Sequence, residues 1–427
     1  MKIAFFLGPF PALSETFVLR QIDFLRRQGH ELHVFPQDHG TYRQVHDGLL
    51  GEDFGNFVHY PPRLAANPGV RLLQAAGWII KNPELLTRPW RTLLSRASFG
   101  SYATSLRLLY WGLPLLQAPR TYDAIVSHFE TPANRVAMLK RAGVLEGPMA
   151  CILHTTFFFN CPHPTPAILR DVDIFKNQTL PEAGLVLPEH GRLKELLLHM
   201  GSPAQRTKTL HMGCGTPVSP APRTAHQPLK LLSVCRLVEK KGLDDALRAL
   251  AMLKKTDASW VYTILGDGPM RPAWEQLAGQ LEIASQVQFL GAANEKQVRF
   301  HMAEADIFLA PSKHATSGDC EGIPVSVIEA TTAGIPVVGT RHEGIPECVE
   351  DDVTGFLVTE NDPAALADRI SRLLADHAKR AKMSAAAQAR GRREFDQQTL
   401  NKTLEDLLIK LSQEDRDDQA VTSRGRI

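Results

Sequence analysis

The sequence predicts an α/β protein made of two doubly wound, Rossmann-like domains that face each other across a cleft. Three observations predict it. Apolar runs of strand length alternate with helical periodicity from the start of the chain, the pattern of a parallel sheet covered by helices. The pattern stops at a Pro-rich stretch, "TPVSPAPRTAHQP" (216–228), and restarts directly after it. The 427 residues suffice for two cores and are too many for one ordinary core.

In the first half, "KIAFFLG" reads as a buried strand, followed by the loop "PFPALSE" and the helix "TFVLRQIDFLRRQG". Ser14 suits the N-cap and Gly29 the C′ position, and "HELHVF" is the second strand of a βαβ unit. "YDAIVSHF", "MACILHTTF", "AGLVLPE" and "TKTLHMG" read as its later strands. After the linker come strand "LKLLSVCRL", helix "LDDALRALAMLKK" and strand "WVYTILGDGP". They are followed by "VQFLG", helix "EKQVRFHMAEA", and strands "DIFLAPS" and "IPVVGT". The predicted division is 1–215 for the first domain, 216–228 for the linker, 229–385 for the second domain, 386–411 for a C-terminal helix and 412–427 for an unstructured tail.

Composition excludes several classes. Apolar residues at 44% and charged residues at 22% are those of a globular chain, and a net charge of +2 carries no nucleic-acid signature. The six cysteines form no C-x-x-C pair, so they read as reduced thiols in a cytoplasmic setting. "MKIAFFLGPF" reads as a first strand and not as a signal peptide, and no apolar run is long enough to cross a membrane. One segment stands out: 63–120 holds eight Arg/Lys against the single acid Glu84, together with Trp78, Trp90 and Trp111. Basic amphipathic helices with Trp and Leu opposite suit an anionic membrane surface, here the inner face of the plasma membrane. The alternative is a helical insertion with solvated arginines.

The chemistry concentrates in "GDCEGIPVSVIEATTAG" (318–334). Gly322-Ile323-Pro324 opens a helix whose free amides and dipole suit a phosphate group. Glu329, about a turn and a half in, leans back toward that end and could accept from a sugar hydroxyl, while Glu321 would face the other end of the same ligand. Otherwise Glu321 is a helix-dipole partner and Glu329 a surface acid. "SVCRLVEKKG" sets Arg236 at a strand end and Lys241 before a helix, two cations fit for a diphosphate without a metal, or else plain turn charges. "GDGPM" (266–270) is a Gly-rich turn or a ligand contact. "DVD" (171–173) resembles an Asp-x-Asp metal motif of a kind common by chance, and the His154, Cys161, His163 group lacks zinc spacing, so no metal is expected. His128 ends an apolar strand at the cleft edge, as a structural or a functional histidine.

With these residues assembled, the C-terminal half resembles the retaining glycosyltransferases of family 4, which have the GT-B fold. "SVCRLVEKKG", "LGDGP", "VQFLG", "FLAPS" and the Glu321-x7-Glu329 motif carry the resemblance over 230–370. "FPALSETFVLRQIDFLRRQGHELHVF", "SHFETPAN" and "LHMG" resemble the subgroup that builds colanic acid and other exopolysaccharides. The resemblance implies a hexosyltransferase whose co-substrate is a UDP- or GDP-linked sugar, with no cofactor and no metal. Arg236 and Lys241 would hold the diphosphate and Glu329 the ribose. Glu321, with the amides of Gly322, Ile323 and Val325, would grip the donor sugar, and Gly291-Ala292 would lie by the nucleobase. His128 would stand near the reacting carbon with His154 close by, and Glu15 and Thr16 on the acceptor side. The C-terminal helix would cross back to the first domain. The chain departs from the family at "ALSE", where relatives have Gly-Gly-x-Glu, at "HTT" (154–156) and at "GCG" (213–215). The first two bear on the acceptor: a sugar, a lipid-linked sugar or a small secondary metabolite. A nucleotide-sugar epimerase or hydrolase on the same scaffold is the competing reading.

Overall fold

The computed structural model describes residues 1–12, 15–40, 54–155, 158, 161–215, 228–255 and 259–424. Its first sheet consists of β1 (Lys2–Phe10), β2 (Glu31–His39), β3 (Ala124–His128), β4 (Met149–Leu153) and β5 (Ala183–Pro188). The order is β2-β1-β3-β4-β5, with all pairings parallel. Ile3, Phe5 and Leu7 pack on one face of β1, and Ala4 and Phe6 on the other. Burial on both faces is why the strand reads as a continuous apolar run.

The second sheet consists of β6 (Leu229–Val234), β7 (Trp260–Leu265), β8 (Val287–Gly291), β9 (Ile307–Ala310), β10 (Val337–Thr340) and β11 (Gly355–Val358). It is also parallel, in the order β11-β10-β9-β6-β7-β8. The chain reverses its direction of travel between β1 and β3 in one sheet and between β6 and β9 in the other. Ligand crevices form at the carboxyl ends of strands beside such reversals. His128 is the last residue of β3, and Arg236 lies just past β6.

Several expectations need correction. Ser14 lies outside the described residues, and the cap position of α1 (Thr16–Arg27) is held by Glu15, whose side chain makes no capping bond. Residues 207–213 do not form a strand. Thr207 makes an isolated bridge to Val186, and the Lys208 and Leu210 amides donate to Val186 and Pro188. β5 ends at Pro188, so the residues beyond have nothing to pair with. The predicted linker, apart from Pro228, falls outside the described residues.

The 63–120 segment folds into short helices that cover one face of the first sheet. Trp90 and Trp111 lie in that core beside Phe6, Phe99 and Tyr102, and Trp78 is half-buried against it. The tryptophans therefore do not form an outward face. A different apolar face is exposed: on α2 (Pro68–Lys81), Leu72, Leu73 and Ile80 are 62%, 76% and 80% exposed, with Leu86 beyond the helix. Residues 72, 73, 76 and 80 share one side of a helix. Arg63, Lys81, Arg88, Arg91 and Arg96 are exposed around them. Among the described residues no helix is long and apolar enough to cross a membrane.

The C-terminal helix of the prediction is two helices, α3 (His377–Glu394) on the second domain and α4 (Gln397–Arg424) on the first. α4 puts Leu404, Leu408 and Leu411 into the core that holds Ile3, Phe5 and the apolar side of α1. His30 Nε2 lies 2.8 Å from Glu405 Oε1 across this contact. Residues 412–424, expected to be unstructured, continue the helix. Ser412 is buried, and Arg416 pairs with Asp123, so tertiary anchoring outweighs a polar composition.

Candidate active site

The second domain contributes a cation pair facing an acid. Lys241 Nζ donates to Glu321 Oε2 at 2.7 Å. Lys240 Nζ donates to Asp319 Oδ1 at 3.0 Å and to the Cys320 carbonyl at 2.8 Å, and stands 3.3 Å from Glu321 Oε1. Burial opposes the charge on Glu321, yet Lys241 and Lys240 outweigh it and hold the carboxyl down at about 2. Glu321 is therefore an anion throughout the physiological range. Its backbone N–H donates to His342 Nε2 at 3.0 Å, and His342 Nδ1 lies 2.7 Å from Glu360. His342 thus accepts from the motif on one side and donates to Glu360 on the other, which fixes Glu321 in place.

Pro324 is the cap residue of α5 (Val325–Thr332), directly before its first turn. Glu329 is the fifth residue of that helix and is partly buried. Its carboxylate has no ion-pair or hydrogen-bond partner among the described residues. Burial pushes it up to about 7, with Arg20 offsetting part of the effect and Glu295 adding to it. A half-buried carboxylate without a partner, with its pKa raised by burial, is a candidate ligand contact. Arg236 is exposed, with no ion-pair partner among the described residues. Gly291 ends β8 and Ala292 follows it, at the same carboxyl edge. In "GDGPM", a side chain on Gly266 would lie 1.8 Å from the Cys235 carbonyl, so close packing against the segment after β6 accounts for the glycine there.

The first domain contributes a chain of polar groups. His128 is fully buried, and its Nδ1 lies 3.0 Å from His154 Nε2, with the two rings stacked at 5.3 Å. His154 Nδ1 lies 2.7 Å from Glu189 Oε2. The other oxygen of Glu189 accepts from the Ile323 N–H of the second domain. Among the described residues, His128 Nε2 and Glu15 Oε2 are buried without a hydrogen-bond partner. Burial, with His154 beside it, lowers the His128 imidazole well below its usual range, so His128 is neutral. Burial raises the Glu15 carboxyl, while His154 partly opposes that. Phe129, next in the chain, sits at φ +69° and ψ +166°, a region almost reserved for glycine, and such strain gathers at functional sites.

The halves meet at Gly322. A side chain there would lie 1.8 Å from the His154 carbonyl and 2.0 Å from Glu189 Oε1, so only glycine lets the domains touch. Contacts thus join His128, His154, Glu321, Gly322, Ile323 and Lys241. Thr16 and Glu15 open α1 beside them, and half-buried Val325 is the first residue of α5. Arg236, Gly291, Ala292 and Glu329 line the same strand ends without bonding into this network. The sequence reading missed Lys240, Glu189 and His342. A signal existed for two of them: Lys240 neighbours Lys241, and Glu189 ends an apolar strand just as His128 does.

Comparison with known proteins bears on the family and the fold. Residues 219–390 match the family described as glycosyl transferases group 1. WcaL of Salmonella typhimurium, named as a colanic acid biosynthesis glycosyltransferase, is 32% identical over 418 residues, 96% of this chain and 99% of WcaL. The amylovoran biosynthesis glycosyltransferase AmsK of Erwinia amylovora is 31% identical over 424 residues, 96% of this chain and 100% of AmsK. In fold, the chain is similar to Anabaena HepE, solved in complex with UDP-glucose, at a TM-score of 0.69 and 20% identity, covering 96% of this chain and 99% of HepE. Sucrose-phosphate synthase of Thermosynechococcus elongatus gives a TM-score of 0.69 at 17% identity, with 96% and 99% covered. The chain belongs to the group 1 glycosyltransferases, with the GT-B fold, beside the enzymes of colanic acid and amylovoran biosynthesis.

Proposed function

We propose that this glycosyltransferase moves a hexose, with retention of configuration and without a metal, from a nucleoside-diphosphate donor to a hydroxyl of a lipid-linked acceptor at an anionic membrane face. The observation that carries the donor half is the cation cluster Arg236, Lys240 and Lys241 at the carboxyl end of β6, opposite the start of α5. Three cations there stabilise the charge that develops on a leaving diphosphate, and such stabilisation is usually the largest catalytic term. Glu329 takes the ribose hydroxyls and Glu321 those of the transferred sugar. Because two ammonium groups stand against its charge, Glu321 is a poor nucleophile. This favours front-face attack, with the leaving phosphate accepting the acceptor's proton, over a double displacement. HepE, solved with UDP-glucose, and a mycobacterial relative named as GDP-mannose-dependent motivate testing both donor classes.

The membrane half rests on the exposed stripe of α2 and the basic residues around it, a combination that suits insertion at an anionic interface. The test is transfer from a panel of UDP- and GDP-sugars to lipid-linked acceptors in excess EDTA, with the product anomer read by NMR. We expect undiminished transfer and the donor's own anomeric configuration in the product. Complete loss on chelation would remove the metal-free reading, and an inverted product would remove retention.

A further inference from the structure

We infer that Glu189 is a positioning residue which, through His154, holds His128 with Nε2 as a bare hydrogen-bond acceptor for a hydroxyl of the transferred sugar. This rests on the proposed transfer reaction and deepens it. Burial raises the Glu189 carboxyl, while the His154 ring and the Ile323 amide work against that; as a carboxylate it only accepts, and the 2.7 Å contact then puts the hydrogen of His154 on Nδ1. With its single ring hydrogen on Nδ1, His154 presents a lone pair at Nε2. The 3.0 Å contact to His128 therefore requires the hydrogen of His128 on its own Nδ1. His128 Nε2 is left bare, and it is buried without a partner among the described residues. The opposite arrangement would set two lone pairs against each other at the carboxylate.

The second domain completes the device. The amide of Ile323 donates to the free oxygen of Glu189 and so orients the carboxylate from across the domain contact. Gly322 permits that approach. The two contacts of the histidine pair lie within the first domain, and the Ile323 amide adds a hydrogen bond to their far end when the domains touch. Phe17 walls the pair, its ring centroid 4.9 Å from that of His154, and keeps the contacts out of water.

The experiment uses the full-length enzyme at pH 7.5 with 15N-labelled histidine, without substrate, and reads which ring nitrogen of His128 carries hydrogen. A bare Nε2 is expected, and a hydrogen on Nε2 overturns the proposal. In Glu189→Gln the amide can donate as well as accept, so the lock on the hydrogen position is released. Mixed hydrogen positions on His128 are expected there, with kcat lowered about 10- to 100-fold and the donor KM within about twofold, the signature of a lost transition-state contact. A Glu189→Gln enzyme with wild-type kcat also overturns it. If the variant does not fold, the wild-type measurement decides alone. If the wild type transfers no sugar, that measurement still reports on the relay, so failure of the assigned reaction is distinguished from failure of this inference.

Discussion

Replacing Glu329 with glutamine should make the protein more stable and its donor site empty. The carboxyl rises from 4.5 to about 7, which at about 1.36 kcal/mol per pH unit makes its ionisation in the folded protein costlier by up to about 3 kcal/mol. The folded value lies above the unfolded one, so the sign is opposite to that of a salt-bridged acid. The cost is absent below about pH 4.5, grows as pH rises toward 7 and is constant above that. Glutamine removes it. The stability gain of Glu329→Gln should therefore be larger at pH 8 than at pH 5 by about 2 kcal/mol, or roughly 5 °C in Tm for a domain of this size. Calorimetric melts of both proteins at the two pH values measure the difference. UDP and GDP should each lose most of their thermal shift in the variant, since an amide replaces the ribose's charged acceptor. An equal stability gap at both pH values would refute the buried, unpaired carboxylate. Unchanged nucleotide binding would refute its role.

Three further outcomes are expected. Glu321→Ala should lower kcat on the order of a hundredfold, because it removes a sugar contact and frees Lys240 and Lys241 to move; unchanged kcat in steady-state assays would exclude Glu321 from the reaction. Arg135 donates to the carbonyls of Phe35, Pro36 and Trp111 at 3.3, 3.0 and 2.7 Å, buried beneath the insertion. Arg135→Met should cost about 3–5 kcal/mol in urea unfolding, the penalty for orphaning buried partners. Leu72→Asp with Ile80→Asp should weaken sedimentation with phosphatidylglycerol vesicles by at least about tenfold, while transfer to a soluble acceptor stays unchanged; added salt should weaken the wild type as well. Equal sedimentation of variant and wild type would remove α2 as the membrane face.

The sequence by itself determined most elements and the local geometry of the donor motif. Parallel strands buried on both faces must be short apolar runs, so β1, β3 and β4 are legible without knowing what lies beside them. The rise of an α-helix sets where Glu329 falls relative to Gly322, whatever the domain does as a whole. The tertiary structure decided everything that depends on what comes to rest against a residue. Trp90 and Trp111 look the same in composition whether they face lipid or core, and only the packing of the insertion on the first sheet put them inside. Residues 412–424 are polar enough to read as unstructured, yet α4 continues through them because Leu411 and Arg416 find partners nearly 300 residues earlier in the chain, such as Asp123. Glu321 and Glu329 are the clearest contrast. The sequence sets them eight residues apart, but strand order brings Lys240 and Lys241 to the first and leaves the second without an ion-pair partner among the described residues. One acid is thereby held at about 2 and the other at about 7. Burial raises both, and only the long-range neighbours tell them apart.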